Sequence, residues 1–492
     1  MHKLVSFFKS KPLFLFLLPA FFVFHGFTEN YHAIPFKDAL WLLFGYLVAA
    51  LILFFVSWLF LRQAIKSSVF SFCIMGFDFS FGNIKDSLKA LFADALITRY
   101  IFLVPFFLLV FVFIAWWLKK EKRSMYRLGF YLNTLLVILI LADAFSLLQK
   151  KEQRRYAVNS SSELSFKCDS CVKPDIYFLV FDEYSSSTAL KEKWGYNNND
   201  LDTFLLQKGF KLIPYSKSNY NFTEFSMASI LNMDYLKIAD PSACTIKDYN
   251  NCFESIRENQ VCHILRSMDY DIVNCSIFDL QKKSSLVNEG FLPLKTKLIT
   301  AQTFTGRVKR DLLFHILSGK TKIRSLSKYF FYATYRNNQK LIKATIQTAV
   351  DSSTKPRFVY SHIEMPHHPF YFNKYGQEKS TTELPNENIT SYLDYLPSTN
   401  QVVKQMVRSI LDHSKKPVVI VLMGDHGFRE QQERDFQFKN LNAVYISSGH
   451  YSGFSDSITS VNEYRILFNN LFHASFPLKK DSTVFLLDKI GD

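Results

Sequence analysis

Five long apolar stretches crowd the first 150 residues and leave few ways for this part of the chain to fold. They run roughly Pro12–Phe27, Ala39–Leu61, Ser67–Phe81, Tyr100–Leu118 and Leu128–Leu148. A helix that crosses a bilayer needs about 20 apolar residues, and backbone in lipid must satisfy its own hydrogen bonds. The second, fourth and fifth stretches meet the length outright. The first is short. The third is interrupted by Gly76, Asp78 and Gly82, so a re-entrant or interfacial segment is its alternative. The expectation is an N-terminal α-helical transmembrane bundle of about five spans over residues 1–148. The 51 Phe and the 48% hydrophobic content are weighted towards this half, so the two halves are read separately.

Loop charge gives an orientation. Lys3, Lys9 and Lys11 precede the first stretch, Arg62 and Lys66 follow the second, and Lys119, Lys120, Lys122, Arg123 and Arg127 follow the fourth. These would face the cytoplasm, although Lys85, Lys89 and Arg99 on the opposite side reduce the contrast. An odd number of spans then puts the rest of the chain outside the cytoplasm. The first stretch also resembles a signal peptide, but no clean small-residue cleavage site follows, so it reads as an uncleaved helix. Six of the seven Cys lie beyond the five apolar stretches, at 168, 171, 244, 252, 262 and 275, an even number that suits an exported, disulfide-permissive domain. Local pairing favours Cys168–Cys171 and Cys244–Cys252. The net charge of +15 comes without a basic arm, zinc-finger spacing or RNA-binding motif. It therefore points to anionic lipid or substrate rather than nucleic acid.

Residues 149–173 are charged and Ser-rich, a linker. Beyond it, short apolar runs alternate with amphipathic stretches. Ile176–Phe181, Arg357–Ile363, Val418–Met423 and Ala443–Ser447 read as buried strands, with Tyr270–Ile277 a fifth; Leu201–Lys208 and Asn400–His413 read as helices. This alternation predicts a mostly parallel central sheet covered on both faces over residues 174–492. Ligands in such sheets bind beyond the carboxyl ends of the strands. Three of the runs end in metal-type residues. One ends in Asp182-Glu183, one runs through His362 to Pro366-His367-His368-Pro369, and one ends in Gly424-Asp425-His426-Gly427. Asp and His suit Zn or Mn, with Mg also compatible. Each has a plain alternative as a cap, a turn or a core histidine; their coincidence at three strand ends favours a site. Thr223, ahead of the helical stretch Phe225–Leu236, would stand at a helix N-terminus, where anions are favoured. It is a candidate nucleophile, with an N-cap or a glycosylation sequon (Asn221-Phe222-Thr223) as alternatives. Arg429 stands three residues past His426 and would either pair with a phosphate oxygen or lie on the surface.

At these residues the chain resembles the alkaline phosphatase superfamily, and within it the membrane-anchored, sulfatase-like transferases: lipoteichoic acid synthases and lipid A phosphoethanolamine transferases. The resemblance implies five spans followed by an extracytoplasmic α/β catalytic domain. It implies Asp182, Thr223, Asp425 and His426 as ligands of one divalent metal ion, with a second as the alternative. Thr223 would be the catalytic nucleophile, with Ser226 matching the Ser that follows it by three residues. His362 and His367 would be catalytic, and His368 and Arg429 would bind substrate. The activity implied is transfer of a phosphoethanolamine- or phosphoglycerol-type group from a membrane lipid donor to an envelope glycan or lipid, through a phospho-threonine. The protein would be multi-pass in the inner (plasma) membrane. A phosphodiesterase or phosphatase with water as acceptor, and a non-catalytic envelope protein on the same fold, are the alternatives. The Cys/Ser-x-Pro-x-Arg motif of authentic sulfatases is missing around Thr223, which turns the expectation from sulfate to phosphate esters. The phosphoethanolamine transferases carry a further His soon after Asp-His-Gly; here the next is His450.

Overall fold

The computed structural model describes residues 11–31, 34–92, 95–160, 168, 171–281, 283–289, 292–293, 296–317, 332–380, 383–384, 387–429 and 433–487. Lys3, Lys9 and residues 161–167, 169 and 170 of the expected 149–173 linker lie outside them, while residues 149–160 of that stretch are helical. The chain forms two compact units. One comprises Met1–Ser161 together with Glu289–His315, and the other Ser162–Asn288 with Ile316–Asp492. A segment from within the second half of the sequence therefore belongs to the helical unit.

The helical unit contains α1 (Phe14–Glu29), α2 (Phe36–Leu61), α3 (Ala64–Phe92), α4 (Tyr100–Lys120) and α5 (Tyr126–Ser160). Among the described residues, four helices, α2 to α5, are long and apolar enough to cross a membrane, and α1 is a shorter apolar helix. The third stretch is not broken: α3 runs as one helix through Gly76, Asp78 and Gly82. Lys66, at the start of α3, donates to the Glu121 carbonyl just past α4, which puts those two loops at one end of the bundle. At the other end, Lys150 of α5 donates to the Thr28 carbonyl near the end of α1. That alternation matches the sidedness read from loop charge.

The second unit is built on a six-stranded sheet. Its strands are β1 (Asp175–Phe181), β2 (Lys211–Leu212), β3 (Asp271–Cys275), β4 (Arg357–Ile363), β5 (Val418–Met423) and β6 (Asn442–Ile446), in the spatial order β2-β6-β5-β1-β4-β3. The four strands β5, β1, β4 and β3 run parallel, while β6 and β2 add antiparallel strands at one edge. Side chains alternate across a strand. In β1, Ile176, Phe178 and Val180 enter one core and Tyr177, Leu179 and Phe181 enter the other. Burial on both faces is why these strands are continuous apolar runs rather than alternating ones. One face is covered by α6 (Thr223–Asn232) and the other by Ala333–Val350 and Ile389–His413. The last helix starts eleven residues earlier than Asn400 and runs through Pro397, a residue that ordinarily marks a helix boundary. Cys168 and Cys171 form a disulfide. The Cys244–Cys252 bridge expected from locality is not formed; both side chains are buried in the same core.

Candidate metal and phosphoryl-transfer site

The register of the sheet assembles the site. Val180 of β1 is level with His362 of β4 on one side and with Met423 of β5 on the other. Asp182 and Asp425 each follow two residues later, so both leave the carboxyl ends of adjacent parallel strands. Asp182, Asp425 and His426 each offer a ligand atom within 4.8 Å of the others, and all three are buried. Gly424 makes the turn feasible: a Cβ there would lie 2.3 Å from the Tyr184 carbonyl oxygen. Glu183 takes a left-handed backbone (φ 64°), uncommon for a side chain of its kind. Its amide donates to Asp425 Oδ1 at 2.9 Å. The same oxygen accepts the His426 amide at 2.9 Å.

The other Asp425 oxygen, together with Asp182 Oδ1 and His362 Nε2, is buried with no hydrogen-bond partner among the described residues. Buried carboxylate oxygens without partners are costly. Here they converge: His426 Nε2 lies 3.4 Å from Asp425 Oδ2 and 3.9 Å from Asp182 Oδ1, and His362 Nε2 lies 3.7 Å from Asp182 Oδ2. Two acidic oxygens and imidazole nitrogens turned towards one point, without satisfied hydrogen bonds, are a donor set that fits a divalent cation.

The imidazole tautomers are fixed by their neighbours. His426 Nδ1 lies 2.8 Å from the Gly427 carbonyl oxygen, which can only accept. Nδ1 therefore carries the proton, and in the neutral ring Nε2 presents a lone pair to the cluster. Thr223 Oγ1 is 3.2 Å from that nitrogen. Thr223 is the first residue of α6, and the N-cap is Phe222. Its hydroxyl thus points at the cluster instead of capping the helix. Ser226, one turn on, donates to the Asp425 carbonyl at 2.6 Å and ties α6 to the end of β5.

His367 Nδ1 lies 2.6 Å from the His368 carbonyl, and its Nε2 is 3.1 Å from Arg429 Nη2. That pairing requires a neutral ring with its lone pair on Nε2. Burial favours the neutral ring, but the carboxylates of Asp182 and Glu183 outweigh it and push the His367 pKa up to about 9, against the charge of Arg429. Burial pushes Asp182 up as well, yet the surrounding rings of His367, His362 and His426 hold it well below the usual carboxylate range.

Arg429 is drawn into the site. Its amide donates to Glu183 Oε1 at 2.8 Å, its Nε lies 3.7 Å from the same oxygen, and its guanidinium stacks over the Phe222 ring. His362 is fully buried, with Nδ1 2.9 Å from the Tyr360 hydroxyl. His368 is engaged elsewhere: its Nε2 is 2.9 Å from the Leu384 carbonyl, and no contact among the described residues joins it to the cluster. His450 is exposed. Sequence reasoning missed the part of Glu183, which it noted only as the residue after Asp182. It also missed Glu224 and Glu364, whose carboxyl pKa values are raised chiefly by burial beside this site. The adjacency of Glu224 to Thr223 was the available signal.

Residues 274–462 match the family model described as Sulfatase, a span that contains His362, His367, Asp425 and His426. That part of the α/β unit is similar to the Sulfatase family. No curated protein matches the sequence. Among solved structures, the C-terminal periplasmic domain of EptC from Escherichia coli in complex with Zn aligns at 9% identity, covering 62% of this chain and 84% of that one, with a TM-score of 0.40. The integral membrane lipooligosaccharide phosphoethanolamine transferase A from Neisseria meningitidis aligns at 12% identity over 90% and 89% of the two chains, with a TM-score of 0.34. The phosphonate monoester hydrolase of Agrobacterium radiobacter aligns at 12% identity over 60% and 73%, with a TM-score of 0.35.

Proposed function

We propose that this protein transfers a phosphoryl-linked group, of phosphoethanolamine or phosphoglycerol type, from a membrane lipid donor to an envelope glycan or lipid, through a phospho-threonine at Thr223. The observation that carries the reading is the Thr223 hydroxyl, 3.2 Å from His426 Nε2 at the edge of the buried Asp182–Asp425–His426 cluster. Those three residues, with Thr223, would hold a divalent cation, Zn or Mn by donor type. Such an ion, when bound, supplies Lewis acidity that favours the ionised hydroxyl and polarises a phosphoryl oxygen.

The chain supplies the rest. The N-terminus of α6 offers free amides and a positive dipole end to the phosphate. Arg429 is held by Glu183 and can turn its guanidinium from His367 to a phosphate oxygen. A bond forms between Thr223 Oγ and phosphorus as the bond to the lipid oxygen breaks. The proton leaving Thr223 and the one gained by the lipid oxygen pass through the imidazoles of His362 and His367. The acceptor hydroxyl then repeats the displacement and frees Thr223. The Cys168–Cys171 disulfide and the loop charges support an extracytoplasmic unit on the inner (plasma) membrane.

The test is turnover of a chromogenic phosphodiester by the full chain, after chelation and after restoring Mn or Zn. Activity should require the added ion and vanish in Thr223→Ala. Comparable turnover by that variant would sink the proposal.

A further inference from the structure

The turn that ends β1 carries Asp182 into the site through a backbone conformation that its sequence does not favour. The Tyr184 amide returns to the Phe181 carbonyl at 3.3 Å, so Asp182 and Glu183 are the two central residues of a tight turn. Glu183, the second of them, holds φ at 64°. Glycine or asparagine is usual at that place, because a Cβ there crowds the backbone. A glutamate keeps such a conformation only where its surroundings impose it. Two contacts of the site depend on it. The turn aims the Glu183 amide at Asp425 Oδ1, and the Glu183 carboxylate at the Arg429 amide.

The helix Ile389–His413 supplies the restraint. Tyr392, in its first turn, is fully buried. The Tyr392 hydroxyl donates to the Glu183 carbonyl at 2.9 Å and accepts the Ser185 amide at 3.1 Å. One oxygen thus bridges the backbone on both sides of Tyr184, using its single donor to do so. Ser185 carries the link to the neighbouring strand end, where its Oγ accepts the Phe428 amide at 2.9 Å. The Tyr392 and Phe428 rings lie 4.4 Å apart and close the same junction with apolar contact. The segments after β1 and β5, which bring Asp182 and Asp425 together, are therefore pinned to each other by a tyrosine whose hydroxyl bonds only backbone.

We propose that Tyr392 is a positioning residue for the divalent-ion site: its hydroxyl holds Glu183 in the left-handed turn and so keeps the Asp182 and Asp425 carboxylates converged. Groups that orient a metal ligand directly are commonly worth 10- to 100-fold in affinity, and Tyr392 acts one bond further out, so a loss of about tenfold is expected. The inference rests on the Asp182–Asp425–His426 cluster taking an ion, and it does not depend on chemistry at Thr223.

The experiment measures the dissociation constant of the full chain for Mn or Zn, after stripping with chelator, by competition with a metal-sensing dye. Turnover is not needed. Tyr392→Phe removes the hydroxyl and keeps the ring against Phe428, and it should raise Kd about tenfold. Ser185→Ala cuts the onward bond to the Phe428 amide and should shift Kd the same way, which keeps the test decisive if the first variant fails to fold. Tyr395→Phe is the comparison. It removes an equally buried hydroxyl from the same helix, one without a hydrogen-bond partner among the described residues, and should leave Kd at the wild-type value. Wild-type affinity in Tyr392→Phe and Ser185→Ala would overturn the proposal, as would an equal rise in Tyr395→Phe, the mark of a generally loosened helix. A wild-type chain that binds no ion would overturn the ion site itself and this inference with it, whereas ion binding that the variants share overturns the inference alone.

Discussion

Replacing Asp425 by Asn should stabilise the metal-free protein and destabilise the metal-loaded one. The amide keeps an oxygen at the position that accepts the Glu183 and His426 amides, so the local turn survives. What changes is charge. Ligand oxygens of Asp182 and Asp425 lie within 4.8 Å of each other, and two unit charges at that distance repel by about 3 kcal/mol at an effective dielectric of about 20. Neighbouring imidazoles and the Arg429 guanidinium offset part of this, which leaves a relief of about 1–2 kcal/mol on neutralising one partner. For a domain of this size that is a rise of a few degrees in Tm. With the cation present the order reverses: at about 100 times the dissociation constant, binding stabilises the folded wild type by about 2.7 kcal/mol, and the variant forfeits most of it. The assay is thermal unfolding of wild type and variant in chelator and in excess Mn or Zn. A variant that melts below wild type in chelator, or gains as much from the ion, would refute the claim that these carboxylates form an ion site.

Three further outcomes follow from the same structure. Glu463 is fully buried, with Oε2 2.8 Å from the Asn442 side chain and Oε1 without a partner among the described residues; burial pushes its pKa up to about 7, with Asn442 acting the other way. A raised folded-state pKa contributes stability that is present below the unfolded value and lost as pH rises through about 7; Glu463→Gln should therefore flatten the wild-type decline of Tm over that window, and an unchanged slope would contradict it. Ser226→Ala removes the bond from α6 to the Asp425 carbonyl and leaves that buried oxygen unsatisfied, which costs about 1–3 kcal/mol in unfolding experiments; no measurable loss would show that the tie is unimportant. Arg429→Ala should lower kcat/KM for a phosphodiester by roughly 10- to 100-fold, the scale of one charged hydrogen bond, with Arg429→Lys rescuing little because a fork cannot be rebuilt.

How much of this was legible in the sequence depended on how local the signal was. The strands β1, β4 and β5 could be read because burial on both faces makes them unbroken apolar runs, and the rule about strand ends then singled out Asp182, His362, Asp425 and His426. Thr223 was readable as the start of a helix. The role of Arg429 was not, because it depends on Glu183 taking a left-handed turn at the end of another strand. His368 was expected to bind substrate, and only the path of the loop assigns it to the Leu384 carbonyl. Gly76, Asp78 and Gly82 weakened the third span on hydropathy alone. Two of them, Gly82 with the Gln302 carbonyl and Asp78 with the Thr305 amide, are contact points for a distant segment of the chain, and no periodicity reports that kind of pairing.

The measurement closest to the central claim is the mass of the intact protein after brief incubation with phospholipid and Mn or Zn, followed by peptide mapping. A phosphoryl-linked adduct on Thr223 that is missing from Thr223→Ala is the predicted result, and its mass would name the transferred group. An adduct on another residue, or none while phosphodiester is consumed at the wild-type rate by Thr223→Ala, would contradict the account.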